Sequence, residues 1–100
     1  YEACRSLTYQ AATMWDRGLL VGKEASMMAA KAKLQAGQMA TQVCLDAIQI
    51  LGGYGYTREF PVERYMRDAK LMEIGAGTNE ILRVIIARQM LGADVADAGN

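Results

Sequence analysis

The fold of this chain is decided by residues 49–80, QILGGYGYTREFPVERYMRDAKLMEIGAGTNE. This segment contains five of the ten glycines and the only proline, Pro61. On both sides of it, apolar residues recur at intervals of three and four, which is the spacing of one face of an α-helix. The sequence therefore predicts helices that meet the segment at two glycine-bearing junctions, Gly52-Gly53 and residues 75–78.

Two helices are predicted before the first junction. Residues 1–17 contain no glycine or proline, and Gly18 suits the left-handed position that follows a helix. A second helix should run from about Lys23 to Leu51, with alanine, methionine and other apolar residues on one broad face. A helix of this length is typical of the wall of a helical bundle.

A short third helix is predicted within the segment, over residues 61–68. Pro61 can open it because the N–H that proline lacks would be unpaired in the first turn anyway. Residues 54–60 before it and 69–77 after it show no helical period and are predicted to be connections.

The last helix is predicted to start after Thr78, a suitable N-cap, and to end at Gly92. It is apolar on most sides, so we expect it to be deeply packed. No stretch alternates as a strand does. The predicted class is therefore all-α, with a helical bundle over residues 1–92 and a tail over residues 93–100.

The composition argues against several functions. Eleven basic residues balance eleven acidic ones, so no basic stripe marks a nucleic-acid partner, and no apolar run approaches the roughly 20 residues of a membrane span. The absence of histidine argues against histidine-assisted hydrolysis and most zinc chemistry, and no metal ligand is assigned. Cys4 and Cys44 lie in apolar helical stretches and are predicted to be reduced core residues, which points to an intracellular protein.

Each glycine-bearing junction has a structural and a ligand-binding interpretation. Residues 52–55 could cradle a phosphate, but no strand precedes them, so a helix C-cap and turn is favoured. Residues 75–78 fit equally a backbone contact with a ligand and a loop closed by a threonine cap. The charges between residues 63 and 70 recur at helical spacing, which favours a solvated, ion-paired face over a binding patch.

The segment QILGGYGYTREFPVERYMRDAKLMEIGAGTNEI closely resembles the C-terminal signature of the acyl-CoA dehydrogenase family of flavoproteins. The similarity continues into the last helix (RVIIARQML) and, more loosely, back through the second (AKLQAGQMATQVCLDAIQ). The resemblance is specific because two separated glycine motifs enclose PVER and RDAK in a fixed order. The string EIGAGT resembles the isovaleryl-CoA dehydrogenase branch.

This resemblance implies a homotetramer whose subunits have an N-terminal helical domain, a middle β-domain and a C-terminal four-helix bundle. The chain would be most of that bundle, as a piece of something longer. The implied reaction removes hydrogen across the α and β carbons of an acyl-CoA thioester. A carboxylate takes the α proton, the β hydrogen passes as hydride to FAD, and an electron-transferring flavoprotein commonly reoxidises the flavin.

The resemblance also implies which residues contact ligands. A first set matches the segment that touches FAD, typically the FAD of a neighbouring subunit: Gln49, Ile50, Leu51, Gly52 and Gly53. A second set matches the helix start whose backbone meets FAD: Thr78, Asn79 and Glu80. The contact with acyl-CoA beside the flavin matches Ala76 and Gly77.

Ala76 departs from the pattern of many family members. They carry the catalytic glutamate at this position, whereas an alanine side chain cannot accept a proton. In the isovaleryl-CoA dehydrogenase branch the base comes from an earlier helix, which would lie upstream of Tyr1. Glu73 and Glu80 are the nearest carboxylates, but neither occupies the base position, so no catalytic residue is assigned to this chain.

The leading hypothesis is thus an FAD-dependent acyl-CoA dehydrogenase acting on short or branched acyl groups. One rival is a flavin oxidase or monooxygenase on the same scaffold. Another is a helical assembly module that retains the signature but has lost the base.

Overall fold

A computed structural model of the chain describes residues 1–92. These residues form four α-helices and no β-strand, so the all-α class is confirmed. The helices are α1 (Glu2–Asp16), α2 (Lys23–Leu51), α3 (Val62–Leu71) and α4 (Asn79–Leu91). The tail predicted at residues 93–100 lies outside the described part.

The bounds of α2 agree with the sequence because a glycine stands at each end. Gly22 precedes the helix with φ 56° and Gly52 follows it with φ 64°. Residues with a Cβ rarely adopt these left-handed values, and a chain that adopts them leaves the helical path. The two glycines therefore fix where the longest helix begins and ends.

The connections on either side of α3 are shorter than predicted. A 3₁₀-helix, Gly52–Tyr56, occupies the start of the first connection, where the sequence suggested a loop over residues 54–60. At the other side α3 continues to Leu71, beyond the predicted end at residue 68. Ala69, Lys70 and Leu71 are strong helix formers with no breaker among them, which explains the extra turn.

Helix α2 is the centre of the arrangement. Within residues 1–92, α1, α3 and α4 each pack against α2 and not against one another. The radius of gyration is 16.7 Å, against about 13 Å for a compact domain of 100 residues. The bundle expected from the sequence is therefore present as an open, partial one, with α2 lined by three shorter helices.

Few side chains are buried in this open arrangement. The buried apolar residues are Cys4, Leu20, Ala30, Ala69 and Leu82. Both thiols are free, and Cys4 is buried as predicted, whereas Cys44 is only half-buried and does not belong to the core. None of the described helices combines the length and apolar character needed to cross a membrane.

The deep packing predicted for α4 is wrong for this chain by itself. Ile81 is 53% exposed, Met90 66% and Leu91 63%. The reason is that only α2 packs against α4 within the described residues, so one face of the helix is covered and the apolar residues on its other faces meet solvent.

Candidate functional site

The first junction is a helix cap followed by a tight turn. Gly52 caps α2, and its N–H donates to the carbonyl oxygens of Ile48 and Gln49. The 3₁₀-helix then folds back so closely that a Cβ at Gly55 would lie 2.7 Å from the Ile48 carbonyl oxygen. Gly55 is therefore required by a close approach of the turn to α2, and the structural interpretation of residues 52–55 is confirmed.

The predicted contact residues of this junction form an exposed edge. Gln49 and Gly53 face solvent, and Ile50 is 85% exposed. A Cβ added at Gly52 or Gly53 would meet no atom within 4 Å. The backbone here is thus open to close approach by a flat ligand or by another chain.

The second junction is a turn held in an unusual backbone conformation. Ala76 has φ 56°, the only positive φ of a non-glycine residue in the described part, and Gly77 has φ 117°. Thr78 then caps α4, since its Oγ1 accepts a hydrogen bond from Ile81 N at 3.2 Å. The threonine cap predicted from the sequence is confirmed.

This turn is docked on the middle of α2. A Cβ at Gly37 would lie 3.1 Å from the Met72 carbonyl oxygen, so glycine lets the turn approach the helix. One helical turn earlier, Lys33 Nζ donates to the Gly77 carbonyl oxygen at 2.8 Å. Residues four apart share a helix face, and this face of α2 supports the junction.

Glu73 and Asn79 tie the two ends of the turn together. The backbone N–H of Asn79 donates to the Glu73 carbonyl oxygen at 3.1 Å, and the Asn79 side-chain amide donates to the Glu73 carboxylate. Lys70 Nζ lies 3.6 Å from the same carboxylate. Asn79 is buried at the start of α4, so this pairing fixes where the helix begins relative to the turn.

The surroundings of Glu73 favour its ionised form. The Thr41 hydroxyl beside the carboxylate, the Asn79 amide and the Lys70 ammonium together hold the pKa of Glu73 below its ordinary value of 4.5, although partial burial opposes them. Thr41 Oγ1 and Asn79 Oδ1 are buried without a partner that meets hydrogen-bond geometry within residues 1–92. The Thr41 hydroxyl thus favours the charge on Glu73 but forms no hydrogen bond of normal geometry with it.

Three successive backbone N–H groups at this turn are free. Among residues 1–92, the N–H groups of Ala76, Gly77 and Thr78 donate to no backbone or side-chain acceptor. They lie just ahead of α4, where the helix dipole adds partial positive charge. Such a run of N–H groups suits a carbonyl oxygen or an anion.

The structure does not bring the two junctions together into one pocket. The second junction rests on α2 near Gly37, whereas the first follows the end of that helix at Gly52. With a rise of about 1.5 Å per residue, these two glycines lie about 22 Å apart along the helix. The predicted contacts of Gln49–Gly53 and of Ala76–Glu80 therefore belong to two separate places on the chain.

Sequence reasoning missed the residues that support the second junction. They are Lys33, Gly37, Thr41 and Glu73. The signal was the spacing of four between the three α2 positions, which places a cation, a glycine and a hydroxyl on one helix face. The charges on α3 lie as predicted, because Arg67 Nε pairs with Glu63 at 3.0 Å on the helix surface.

Fold and junctions together define an all-α unit that exposes glycine backbone at one helix end and free N–H groups at the start of another. The family model for the C-terminal domain of acyl-CoA dehydrogenase matches residues 1–91. The chain belongs to the acyl-CoA dehydrogenase family.

Several known proteins resemble the chain over most of its length. It is 54% identical over 91 residues to an acyl-CoA dehydrogenase of Bacillus subtilis, which covers 91% of this chain and 23% of that protein. It is 47% identical over 89 residues to cyclohexane-1-carbonyl-CoA dehydrogenase of Syntrophus aciditrophicus, covering 89% of this chain and 22% of the relative. The chain thus spans about a quarter of the length of these relatives.

A solved structure shows the same fold. Butyryl-CoA dehydrogenase from Megasphaera elsdenii superposes with a TM-score of 0.81 at 42% identity, over 91% of this chain and 23% of that one. The open arrangement of helices around α2 therefore corresponds to one part of a larger protein of known structure.

Proposed function

We propose that the chain is the C-terminal part, over residues 1–92, of an FAD-dependent acyl-CoA dehydrogenase. The observation that carries this proposal is the family match over residues 1–91, which includes both junctions. The relatives that support it are named for dehydrogenation of acyl-CoA thioesters. Since the chain spans about a quarter of them, the remaining domains would supply the rest of the active site.

The two junctions fit a flavin cofactor in different ways. At Gly52 and Gly53 the backbone has open space where any other residue would place a Cβ, so a flat ligand can approach it. At Ala76–Thr78 the free N–H groups ahead of α4 suit a carbonyl oxygen or a phosphate. When bound, FAD supplies the acceptor for the β hydride.

In this proposal the residues of the second junction bind and orient ligands. The backbone of Ala76 and Gly77 contacts the acyl-CoA thioester, and free N–H groups there can stabilise negative charge on its oxygen as the α proton leaves. Thr78, Asn79 and Glu80 present the start of α4 to FAD. The fixed turn keeps these donors in place before the substrate arrives.

The residues of the first junction reach a different ligand molecule. Gln49, Ile50, Leu51, Gly52 and Gly53 contact the FAD of a neighbouring subunit in a homotetramer. Their separation of about 22 Å along α2 from the second junction supports this division, and so does the exposure of Ile50.

The catalytic base lies outside this chain in this proposal. Ala76 has no group that accepts a proton. Glu73 is a poor base for a weakly acidic α proton, because its pKa is held low by Thr41, Asn79 and Lys70. Its carboxylate is also already engaged by Asn79. A glutamate from a helix preceding Tyr1 would fill the role, as in the isovaleryl-CoA dehydrogenase branch.

The proposed substrates are short or branched acyl-CoA thioesters. One relative is named for cyclohexane-1-carbonyl-CoA, a thioester branched at the α carbon. The proposed electron acceptor is an electron-transferring flavoprotein, since a reduced flavin must be reoxidised between turnovers. An intracellular location agrees with the two free thiols.

The test uses the full-length protein that carries this chain. Purified protein is incubated with a panel of straight and branched acyl-CoA thioesters and an electron-transferring flavoprotein, and enoyl-CoA formation is followed. We expect acceptor-dependent enoyl-CoA and little oxygen consumption. Oxygen consumption without that acceptor would identify an oxidase instead. A protein that binds no flavin and turns over no thioester would identify the assembly module.

A further inference from the structure

Lys33 makes an unusual contact for a lysine of this chain. Its ammonium group donates to the Gly77 carbonyl oxygen at 2.8 Å across 44 positions of sequence. Every other side-chain hydrogen bond within residues 1–92 joins residues at most six apart. Lys33 is also half-buried, so this bond is a specific link between the middle of α2 and the second junction.

The bond fixes the direction of the next N–H group. The peptide between Gly77 and Thr78 is trans, as are all peptides in the described part. In a trans peptide the C=O and N–H bonds point in opposite directions. When Lys33 holds the carbonyl oxygen toward α2, the Thr78 N–H must point away from α2 and toward the open side of the turn.

The junction needs such a hold because its backbone is strained and soft. Ala76 has φ 56°, a conformation that is unfavourable for an alanine because its Cβ lies too close to the following carbonyl oxygen. Gly77 has no side chain to restrict rotation of the following peptide. An ammonium donor also polarises the peptide it binds, which strengthens the N–H at its other end as a donor.

We propose that Lys33 is a positioning residue for the cofactor: by holding the Gly77 carbonyl against α2, it aims the Thr78 N–H at the bound flavin nucleotide. This inference rests on the proposed function. Lys33 itself touches no ligand and acts through the Gly77–Thr78 peptide.

The experiment compares three variants of the full-length protein. K33M keeps the apolar stem and removes the donor, whereas K33R keeps a charged donor of different shape. K31M is the matched control, because Lys31 lies on the same helix, is also half-buried and makes no polar side-chain contact within residues 1–92. Apoprotein of each is titrated with FAD, and the unfolding temperature and the flavin absorption band are recorded.

We expect FAD to bind K33M about 10-fold more weakly, because the Thr78 N–H would no longer be held toward the cofactor and one hydrogen bond is worth about that factor. The FAD affinity of K33R should lie between those of K33M and the wild type, and the FAD affinity of K31M should match that of the wild type. The flavin absorption band of K33M should shift, because a hydrogen bond donor near the cofactor has moved. A purely structural role would lower the unfolding temperature and leave FAD affinity and the band unchanged.

Wild-type FAD affinity in K33M, or an equal loss in K31M, overturns the inference. If K33M does not fold, K33R decides: its displaced donor should weaken FAD binding at an unchanged unfolding temperature, and wild-type affinity there overturns the inference. Failure of the proposed function gives a different result, because the wild-type protein would then bind no FAD at all.

Discussion

Replacing Gly55 with alanine should open the turn at the C-terminal end of α2. The added methyl carbon would lie 2.7 Å from the Ile48 carbonyl oxygen and 3.0 Å from Ile48 Cα and Leu51 Cβ. Real Cβ atoms do not approach other atoms this closely, and two of the three neighbours are backbone atoms of a long helix. The turn, not the helix, must therefore move.

The size of the effect follows from two opposed terms. Overpacking of this kind typically destabilises by about 1–3 kcal/mol. A glycine-to-alanine change at an ordinary φ returns about 0.4–1 kcal/mol by restricting the unfolded chain, and Gly55 is not among the glycines with positive φ. The net effect is to lower the free energy of opening the turn by about 1–2 kcal/mol, which makes local opening about 5–30-fold more frequent.

Hydrogen–deuterium exchange of the full-length protein measures this opening directly. Peptides covering residues 50–60 should exchange about 5–30-fold faster in G55A. G53A is the control, since a Cβ at Gly53 meets nothing within 4 Å; with flavin removed from both proteins, its exchange should match the wild type. Equal exchange in the two variants would refute the argument, because it would mean that the close approach of the turn to Ile48 has no energetic consequence.

Three further substitutions test the junctions in the full-length protein. Gly53→Leu should lower the flavin-to-protein ratio after dialysis without changing circular dichroism, because its side chain would fill ligand space; unchanged occupancy would remove Gly53 from the contact. Thr78→Ala should destabilise α4 by about 1 kcal/mol through loss of the cap on Ile81, seen as faster exchange in its first turn; unaltered exchange would contradict the cap. The pKa of Glu73 lies below 4.5, so its charge stabilises the folded form above that pH and the stabilisation is lost as pH falls through the lowered pKa. The unfolding temperature of Glu73→Gln should therefore fall less than that of the wild type as the pH is lowered from neutral to below 4.5; parallel curves would show that Glu73 is not involved.

The helices were predictable because their boundaries depend on local chemistry. Gly22 and Gly52 bound α2 at its two ends because their positive φ values do not fit a helix. Thr78 caps α4 with its own side chain. A residue that determines its own backbone leaves a signal in the sequence alone. The bounds of α2 and the start of α4 are confirmed for this reason.

The supports of the second junction were not predictable because they depend on distant partners. In the sequence, Lys33 cannot be told from an ordinary solvated lysine, because its hydrogen-bond partner is a carbonyl 44 positions away. In the sequence, Gly37 is only a glycine inside a helix, and its role is evident only from the close approach of Met72 in the fold. The predicted burial of α4 was wrong because the sequence implied more contacts than the fold makes. Its apolar residues imply partners on several sides, but only α2 lies against it within the described part.

The two junctions differ in how much of their shape the chain itself determines. At the second, Lys33, Glu73 and the Thr78 cap all restrain the turn, so its free N–H groups have fixed directions before any ligand binds. At the first, Gly55 packs against α2, whereas a Cβ added at Gly52 or Gly53 would meet no atom within 4 Å. A preorganised set of donors suits stabilisation of a developing charge, since no reorganisation is needed when the charge appears. An open backbone edge gains its contacts only when a ligand or a neighbouring subunit arrives. Substitutions at Gly53 should therefore change binding alone, whereas those at Thr78, whose side chain caps α4, should change binding and local stability together.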